Sequence, residues 1–385
     1  MSAPQIPNLL TSRGGPRSRG GRGRGSARFG GRGEASGPGA QRKDLAIQST
    51  DTDAAVSRLS AVSLGYLEDP FASLFVAGQG TRRMPIINRG TYTRTTALDI
   101  LINAFLSEPE SAAPPQKKQI ISLGAGTDTR YFRLRSKNKH HNLIYHEFDF
   151  PSVTTTKSRT VLNNRLLSNN ESEVLIPEFT SPAFGMPQQD TDWGISSSRD
   201  GKPEVTYCCH PIDLRQVPHL KDAKDIQGLQ TDVPTLIISE CCLCYLDLDT
   251  ARDVVKWFTD RITSVGIVLY EPIGVDDAFG QVMVSNLASR GIAMPTLEQY
   301  KTLADQKARL LDLGFQGDGE AGGQEAETVE NIWQNWVPSA EKERVDRLEG
   351  LDEVEEWQML ARHYAVAWGW RGSNGWEGWS GLRRA

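Results

Sequence analysis

The chain has 385 residues, of which 38% are hydrophobic, so it is long enough for one large folded domain or two ordinary ones. Residues 1–43 contain nine basic residues and one acid, which leaves a net charge of +8 there and −13 in the rest of the chain. This distribution excludes a uniformly basic, nucleic-acid-binding body. The longest nearly apolar run, Leu236–Leu246, is too short for a membrane span. Five cysteines are too few for a disulfide scaffold.

The N-terminal segment is rich in arginine and glycine, above all at residues 11–33. Such a segment has almost no apolar side chain to bury, so we expect a disordered tail over residues 1–45. Arginines among glycines are typical of RNA-binding segments, and a weak RNA contact through residues 11–33 is one hypothesis. A solvated tail with no specific partner is the other. No apolar signal segment is visible, so we expect the cytoplasm, with the nucleus left open as a second compartment.

The next stretch, residues 46–118, is predicted to form a helical cover. Asp51 and Asp53 are candidate caps for a helix over Ala54–Leu64. Apolar residues at helical spacing then predict a long helix over Asn88–Leu106, whose first turns carry Arg94. A proline-containing linker ends this part of the chain.

Residues 119–385 alternate between apolar strands and helices. The predicted strands are Gln119–Leu123, Asn142–Phe148, Val205–Cys209, Thr235–Ser239, Gly266–Tyr270 and His363–Trp368. This alternation predicts an α/β fold with a doubly wound, mainly parallel sheet, within a single domain over residues 46–385. The polar stretches near residues 165–203 and 315–330 are predicted to be inserted loops.

The first predicted strand runs into a glycine loop, Gly124-Ala125-Gly126. Glycines there allow a tight turn and close approach of a ligand at the carboxyl end of the strand. A dinucleotide-binding loop would have a third glycine where this chain has Thr129. The second strand ends at Asp149, where an acid can accept both ribose hydroxyls. The combination favours an adenosine without a diphosphate, which points to S-adenosyl-L-methionine.

Two more acids follow later strands. Asp213, with Leu214 beside it, follows the third strand, and Glu240 ends the fourth. In this fold Asp213 and Leu214 could flank the adenine, and Glu240 could contact the methionine end of the cofactor. For any single acid, a solvated turn is an equally good interpretation.

The cysteines invite a metal or redox hypothesis. Cys241 and Cys244 have C-x-x-C spacing, and Cys208, Cys209 and His210 are consecutive. A zinc site needs thiolates that converge tetrahedrally. Both groups lie in or just after apolar strands, where cysteine usually packs as a small hydrophobic residue, so we expect no metal.

Several longer segments resemble the leucine carboxyl methyltransferase family. They are INRGTYTR (87–94), LGAGTDTRYFRL (123–134), EFDFP (147–151), IDLR (212–215), SECCLCYL (239–246) and EPIGVDDAFGQVMVSNL (271–287). The resemblance runs from about Val56 to about Gly369. It implies a seven-stranded Rossmann-like sheet whose last strand is antiparallel. It also implies methylation, with S-adenosyl-L-methionine, of the C-terminal leucine carboxyl of the type 2A protein phosphatase catalytic subunit.

The same resemblance implies roles for individual residues. Arg94 corresponds to an arginine near the methionine carboxylate and the reacting carboxyl, and Tyr245 is a candidate wall of the substrate pocket. The implied cofactor-binding residues are Arg58, Arg94, Gly124, Gly126, Asp149, Asp213, Leu214 and Glu240. Arg58 matches only loosely, as a basic residue several positions before Gly65-Tyr66.

The residue set suits carboxyl methylation. A C-terminal carboxyl has a pKa of about 3.5, so at neutral pH it is already a nucleophile and needs no general base. An arginine can orient it through paired hydrogen bonds. Three alternatives stay open: a methyltransferase for a small metabolite or a modified tRNA base, an RNA-binding protein that acts through its tail, and a cofactor-bound scaffold without turnover.

Overall fold

The structure is a computed structural model that describes residues 38–78, 80–107, 116–139, 142–168, 173–177, 192–199, 202–317, 321–352, 354–372 and 375–382. Its strands are β1 Lys118–Leu123, β2 Leu143–Asp149, β3 Glu173–Pro177, β4 Trp193–Arg199, β5 Lys202–Pro211, β6 Thr235–Glu240, β7 Val265–Pro272, β8 Gly322–Thr328 and β9 Tyr364–Arg371. Its α-helices are α1 Pro38–Ser63, α2 Pro85–Leu106, α3 Arg130–Ser136, α4 Pro151–Asn163, α5 Arg165–Ser168, α6 Leu248–Thr259, α7 Ala278–Ser289, α8 Leu303–Asp312, α9 Val329–Asn335, α10 Ser339–Asp346, α11 Val354–Arg362 and α12 Glu377–Leu382.

The strands form one sheet in the order β3-β4-β5-β2-β1-β6-β7-β9-β8. The five strands from β5 to β7 are parallel, as predicted. The last strand, β9, is antiparallel to both β7 and β8, which also agrees with the prediction. The predicted count of seven strands is wrong by two among the described residues, because β3 and β4 extend the edge beside β5.

Both segments predicted as inserted loops contain strands. The first contributes β3 and β4 among its described residues, while residues 169–172, 178–191 and 200–201 lie outside them. The second contributes β8, whose sequence GGQEAET has no strand-like apolar pattern. A Cβ on Gly323 would lie 2.7 Å from the Trp370 ring, so glycine allows β8 to pack closely against β9. These strands depend on a neighbour in the sheet, which local sequence preference does not reveal.

The N-terminal boundary also differs from the prediction. Helix α1 begins at Pro38, inside the segment predicted as a tail over residues 1–45. Asp51 and Asp53 lie within this helix and do not cap it. Their carboxylates contact Thr127 and Arg290, respectively, and such tertiary partners outweigh a local capping preference. Residues 1–37, with the predicted RNA contact at 11–33, lie outside the described residues.

The sheet is covered on both faces. Ile120 and Ile121 are adjacent on β1, yet they belong to two different hydrophobic clusters, since successive side chains of a strand point to opposite faces. The C-terminal tryptophans, for which the sequence predicted no position, pack on α2. The Trp376 ring stacks on Phe105 at 4.9 Å, and Trp379 Nε1 donates to the carbonyl of Leu101 at 2.8 Å. No helix in the described part of the chain combines the length and the apolar character that crossing a bilayer requires.

Candidate active site

A cavity of about 410 Å³ opens at the carboxyl ends of the parallel strands. This volume is in the range of small-molecule sites. Helices α1, α2, α7 and α11 contribute walls to it. All nine residues that the sequence predicted for the site line this one cavity: Arg58, Arg94, Gly124, Gly126, Asp149, Asp213, Leu214, Glu240 and Tyr245.

The glycine loop adopts a backbone conformation that other residues rarely adopt. Gly124 and Gly126 have φ values of 62° and 50°. A Cβ on Gly124 would lie 2.3 Å from Cys242 Sγ, and a Cβ on Gly126 would lie 2.3 Å from Asp51 Oδ1. The two glycines therefore have both a conformational and a steric reason to be glycine, and they leave backbone atoms exposed to the cavity.

Asp149 faces this loop from the end of β2. Its Oδ2 accepts the backbone N–H of Gly126 at 2.7 Å, and its Oδ1 accepts that of Phe150 at 2.7 Å. Burial raises the pKa of Asp149 to about 7, and the nearby charge of Asp51 acts in the same direction, against the two hydrogen bonds. Asp149 therefore changes its charge near neutral pH.

Asp51 was missed by the sequence interpretation. Its Oδ1 accepts from both the backbone N–H and the hydroxyl of Thr127, at 2.7 Å each, and so fastens α1 to the glycine loop. Burial raises its pKa as well, against the hydrogen bonds from Thr127. The sequence held no signal for this role, because an acid near a helix start has an ordinary local explanation.

Asp213 follows β5. It caps a short 3₁₀ helix over Leu214–His219 by accepting the backbone N–H of Arg215 at 3.0 Å. The Arg215 side chain also donates to it through Nε at 2.9 Å, and bridges to Asp44 of α1 at 2.9 Å. Arg215 therefore holds Asp213 in place and ties α1 to the loop after β5.

Arg94 and Glu240 form the polar centre of the cavity. Arg94 Nε lies 2.8 Å from Glu240 Oε1, and its guanidinium lies over the Tyr270 ring at 5.3 Å. Arg130, fully buried and not singled out from the sequence, reaches the other oxygen of Glu240 at 3.1 Å. Burial opposes the charge of Glu240, but Arg94 and then Arg130 hold its pKa below its usual value. Glu240 is thus a carboxylate at neutral pH.

Three buried guanidinium nitrogens at this centre lack a well-aligned acceptor among the described residues. They are Arg58 Nη1, which lies 3.6 Å from Asp69, Arg94 Nε, and Arg130 Nε, which lies 3.7 Å from Asp99. Unsatisfied buried donors are costly unless a ligand accepts from them. Together with the open glycine loop, they fit a ligand that bears an anionic group at one end.

The far side of the cavity is apolar. The rings of Tyr270 and Tyr364 stack at 5.3 Å, and Tyr245 lies beside them. Burial holds the pKa of Tyr245 well above its usual value, so its phenol is neutral. The remaining apolar side chains of this wall include Met283, Leu287, Val329, Trp357 and Leu360.

The comparisons with known proteins agree with this arrangement. The family model described as leucine carboxyl methyltransferase matches residues 46–259. The leucine carboxyl methyltransferase 1 of Emericella nidulans is 46% identical, over 99% of this chain and 98% of the relative. The Aspergillus fumigatus protein of the same name is also 46% identical, over 98% of each. The chain belongs to the leucine carboxyl methyltransferase family.

A more distant member agrees as well. The leucine carboxyl methyltransferase 1 of Schizosaccharomyces pombe is 38% identical, over 83% of this chain and 93% of the relative. Among solved structures, the plantazolicin methyltransferase BpumL in complex with SAH aligns over 85% of this chain and 99% of its own, at 11% identity and a TM-score of 0.37, too low to inform the site. The predicted family and the predicted cofactor are confirmed: this family member is an S-adenosyl-L-methionine-dependent carboxyl methyltransferase.

Among the described residues, Cys241 and Cys244 of the C-x-x-C segment are not part of a group of three or more metal-type side chains. Cys244 is fully buried, and burial holds the pKa of its thiol well above the usual value. The metal-type cluster that the described residues do contain, His146 with Cys208 and His210, lies on β2 and β5 and does not line the cavity.

Proposed function

We propose that this enzyme transfers the methyl group of S-adenosyl-L-methionine to the α-carboxyl group of the C-terminal leucine of the type 2A protein phosphatase catalytic subunit. The observation that carries the proposal is the position of Arg94, a partly buried cation that lines the same cavity as the glycine loop and an apolar wall. A C-terminal leucine offers the matching pair of groups, a carboxylate and an aliphatic side chain. The names of the relatives support a leucine carboxyl group as the group that is methylated.

We place each part of the cofactor against the residues that line the cavity. Asp149 accepts the ribose hydroxyls, and the Asp213-Leu214 turn flanks the adenine. Gly124 and Gly126 give the backbone room beside the ribose and the methionine. Arg58, whose Nη1 is an unsatisfied buried donor, binds the methionine carboxylate, and Glu240 takes the methionine amino group.

The bound cofactor supplies an electrophilic methyl group. Arg94 donates to the substrate carboxylate and directs one oxygen toward that group, which makes positioning the main contribution of the protein. No general base is required, because the carboxylate is ionised at neutral pH. Tyr245 and Tyr270 line the same cavity as Arg94 and flank the reacting carboxyl in this arrangement.

The apolar wall holds the leucine side chain. Met283, Val329, Trp357 and Leu360 line this part of the cavity. One methylene more or less in such a pocket changes binding by only about 1–3 kcal/mol. A leucine pocket therefore cannot select one protein among many, and a larger contact with the phosphatase subunit must add the rest.

The direct test uses purified enzyme, S-adenosyl-L-methionine labelled in its methyl group, and two substrates: the phosphatase catalytic subunit and the same subunit without its terminal leucine. We expect base-labile label in the intact subunit alone. Label in both subunits would place the reaction elsewhere on the protein. No label in either, with cofactor binding demonstrated, would favour a small metabolite or a modified tRNA base as substrate.

A further inference from the structure

A fully buried lysine, Lys157, is not part of the cavity lining but contacts the loop that lines it. It lies on α4, which begins two residues after Asp149. Its Nζ donates to the backbone carbonyl of Asp128 at 2.7 Å and to Oε2 of Glu147. Lysines are almost never fully buried unless they are paired, so these two acceptors account for its place in the interior.

The amino group of Lys157 is a cation at neutral pH. Burial opposes its charge, but the neighbouring Glu147 acts against burial, and the pKa of Lys157 is held above its usual value. Glu147, on β2, is itself buried, and its Oε2 accepts the hydroxyl of Tyr207 on β5 at 2.7 Å. The ammonium group therefore connects the loop after β1 with β2 and, through Tyr207, with β5.

Asp128 ends the glycine loop and lines the cavity. Its backbone N–H donates to the carbonyl of Ala125 at 2.9 Å, which closes a turn over Ala125–Asp128. Its carboxylate accepts the backbone N–H of Arg130 at 3.0 Å and pairs with the guanidinium of the same residue. Arg58 Nη2 lies 3.9 Å from this carboxylate. The position of Asp128 therefore affects both the glycine loop and two arginines at the proposed methionine end.

Fold stability alone does not account for the buried pair of Lys157 and Glu147. Removing two charges from water costs free energy, and replacement of a buried ion pair by neutral residues of similar volume is often neutral or even stabilising. Such a replacement would, however, remove the donor to the carbonyl of Asp128. A buried acceptor without a donor is costly, and the loop that carries it can reduce this cost by moving.

We propose that Lys157 is a positioning residue, whose ammonium group holds the carbonyl of Asp128 and keeps the glycine loop in the conformation that binds S-adenosyl-L-methionine. This inference rests on the proposed placement of the cofactor beside Gly124 and Gly126. It does not depend on the identity of the methyl acceptor. A loop that is already in its bound conformation binds more tightly, because ordering it costs no binding free energy. Loss of the contact should therefore weaken cofactor binding in protein that remains folded.

A matched pair of variants tests this role. Lys157→Met alone is unsuitable, because it leaves the carboxyl group of Glu147 without its cation in the interior. Glu147→Gln removes the ion pair but keeps the lysine, whose amino group can still donate to Asp128, and the amide oxygen can still accept from Tyr207. Glu147→Gln combined with Lys157→Met removes the same ion pair and also the donor to Asp128. The two variants thus differ only at residue 157.

Binding of S-adenosylhomocysteine to the full-length protein is measured by titration calorimetry. We expect Glu147→Gln to bind within about twofold of the wild-type affinity and the double variant to bind about tenfold more weakly than Glu147→Gln, the lower end of what a hydrogen bond to a charged group contributes. A merely structural role for Lys157 would lower the fraction of protein that binds, and hence the stoichiometry, without a change in affinity.

Equal affinities in the two variants, whether both strong or both weak, would overturn the proposal. So would a double variant that does not fold while Glu147→Gln does, since Lys157 would then be necessary for the fold itself. The measurement uses no phosphatase subunit. Failure of this proposal is therefore distinguishable from failure of the proposed substrate, which the two labelled subunits test separately.

Discussion

Two carboxylates that line the same cavity have pKa shifts of opposite direction. Asp149 ends β2 and Glu240 ends β6, on the two sides of β1. Asp149 accepts from backbone N–H groups and has Asp51 as a neighbour, and its pKa is raised to about 7. Glu240 is bracketed by Arg94 and Arg130, and its pKa is lowered although burial opposes this. The type of residue and the strand position are nearly the same and burial raises the pKa of both, so the difference between the two acids comes from their partners.

This difference in pKa fits the different ligand groups that we propose for the two acids. An acid that accepts from ribose hydroxyls needs no permanent cation beside it, since hydroxyls are neutral donors. Glu240 lies beside Arg94, which binds the substrate carboxylate in the proposed mechanism. Glu240 therefore has to stay ionised, and so balance the positive charge of Arg94, over the pH range in which the enzyme works. Each prediction below changes one side of this contrast.

Arg94→Ala should have the largest effect. It removes the cation that orients the substrate carboxylate, and it leaves Glu240 with Arg130 alone. We expect kcat/KM for the phosphatase subunit to decrease by about a thousandfold, comparable to the loss of an oxyanion-binding donor. Arg94→Lys keeps the charge but not the planar fork and should recover part of this loss. A near wild-type rate in Arg94→Ala would contradict its proposed role.

Glu240→Gln should rank second. The neutral amide no longer balances the partly buried Arg94 and the buried Arg130 beside it. Affinity for S-adenosylhomocysteine should decrease by about tenfold to a hundredfold, which corresponds to the loss of hydrogen bonds between charged groups. Titration calorimetry measures this, with the exposed Glu343→Gln as control. Equal affinities in Glu240→Gln and wild type would remove Glu240 from the methionine end.

The pH dependence of the wild-type enzyme should come third. If the ionised form of Asp149 binds ribose, affinity for S-adenosylhomocysteine falls as the pH drops below 7, by up to about tenfold per unit. Asp149→Asn should bind weakly and show no such acid decline. The unbound protein has the opposite slope. Its folded state holds a proton between the unfolded pKa of about 3.9 and the folded value of about 7, so the free energy of unfolding decreases as the pH rises over that range.

Asp51→Asn should have the smallest effect on cofactor affinity. It tests how much the negative charge of Asp51 contributes to the raised pKa of Asp149. The amide oxygen can still accept from Thr127, but the negative charge near Asp149 is gone. The midpoint of the acid decline in affinity should move to lower pH by less than about one unit, because burial, which is the larger cause of the raised pKa, is unchanged. Asp53→Asn, on the same helix but paired with Arg83 and Arg290, is the control and should leave the midpoint unchanged. A shift in the control alone would contradict this interpretation.

Much of the fold could be predicted from local pattern. The parallel strands are apolar runs because both faces of the sheet are covered, and this pattern is visible in any window of the chain. Strand β8 and the β3-β4 pair were missed because their residues form strands only when a partner strand offers hydrogen bonds. The continuation of α1 to Pro38 was missed for a related reason, since its polar residues are held by tertiary contacts such as those of Asp44 and Asp51.

The residues of the candidate site also fall into those that local pattern predicts and those that depend on tertiary contacts. Its nine predicted residues line one cavity, because acids and glycines at strand ends meet wherever parallel strands end together. Their individual roles stay predictions that the variants above test. Asp51 and Arg130 were missed as site residues, since each is remote in sequence from the group that it contacts, Thr127 for the first and Glu240 for the second.

The sequence by itself determined the family, the glycine loop and which residue types stand at the ends of the strands, because these depend on contiguous residues. Only the tertiary structure decided their electrostatic state. The raised pKa of Asp149 and the lowered pKa of Glu240 both arise from burial and from groups that are distant in the chain and close in space. Interactions between charges fall off with distance through the folded protein, and separation along the sequence does not measure that distance.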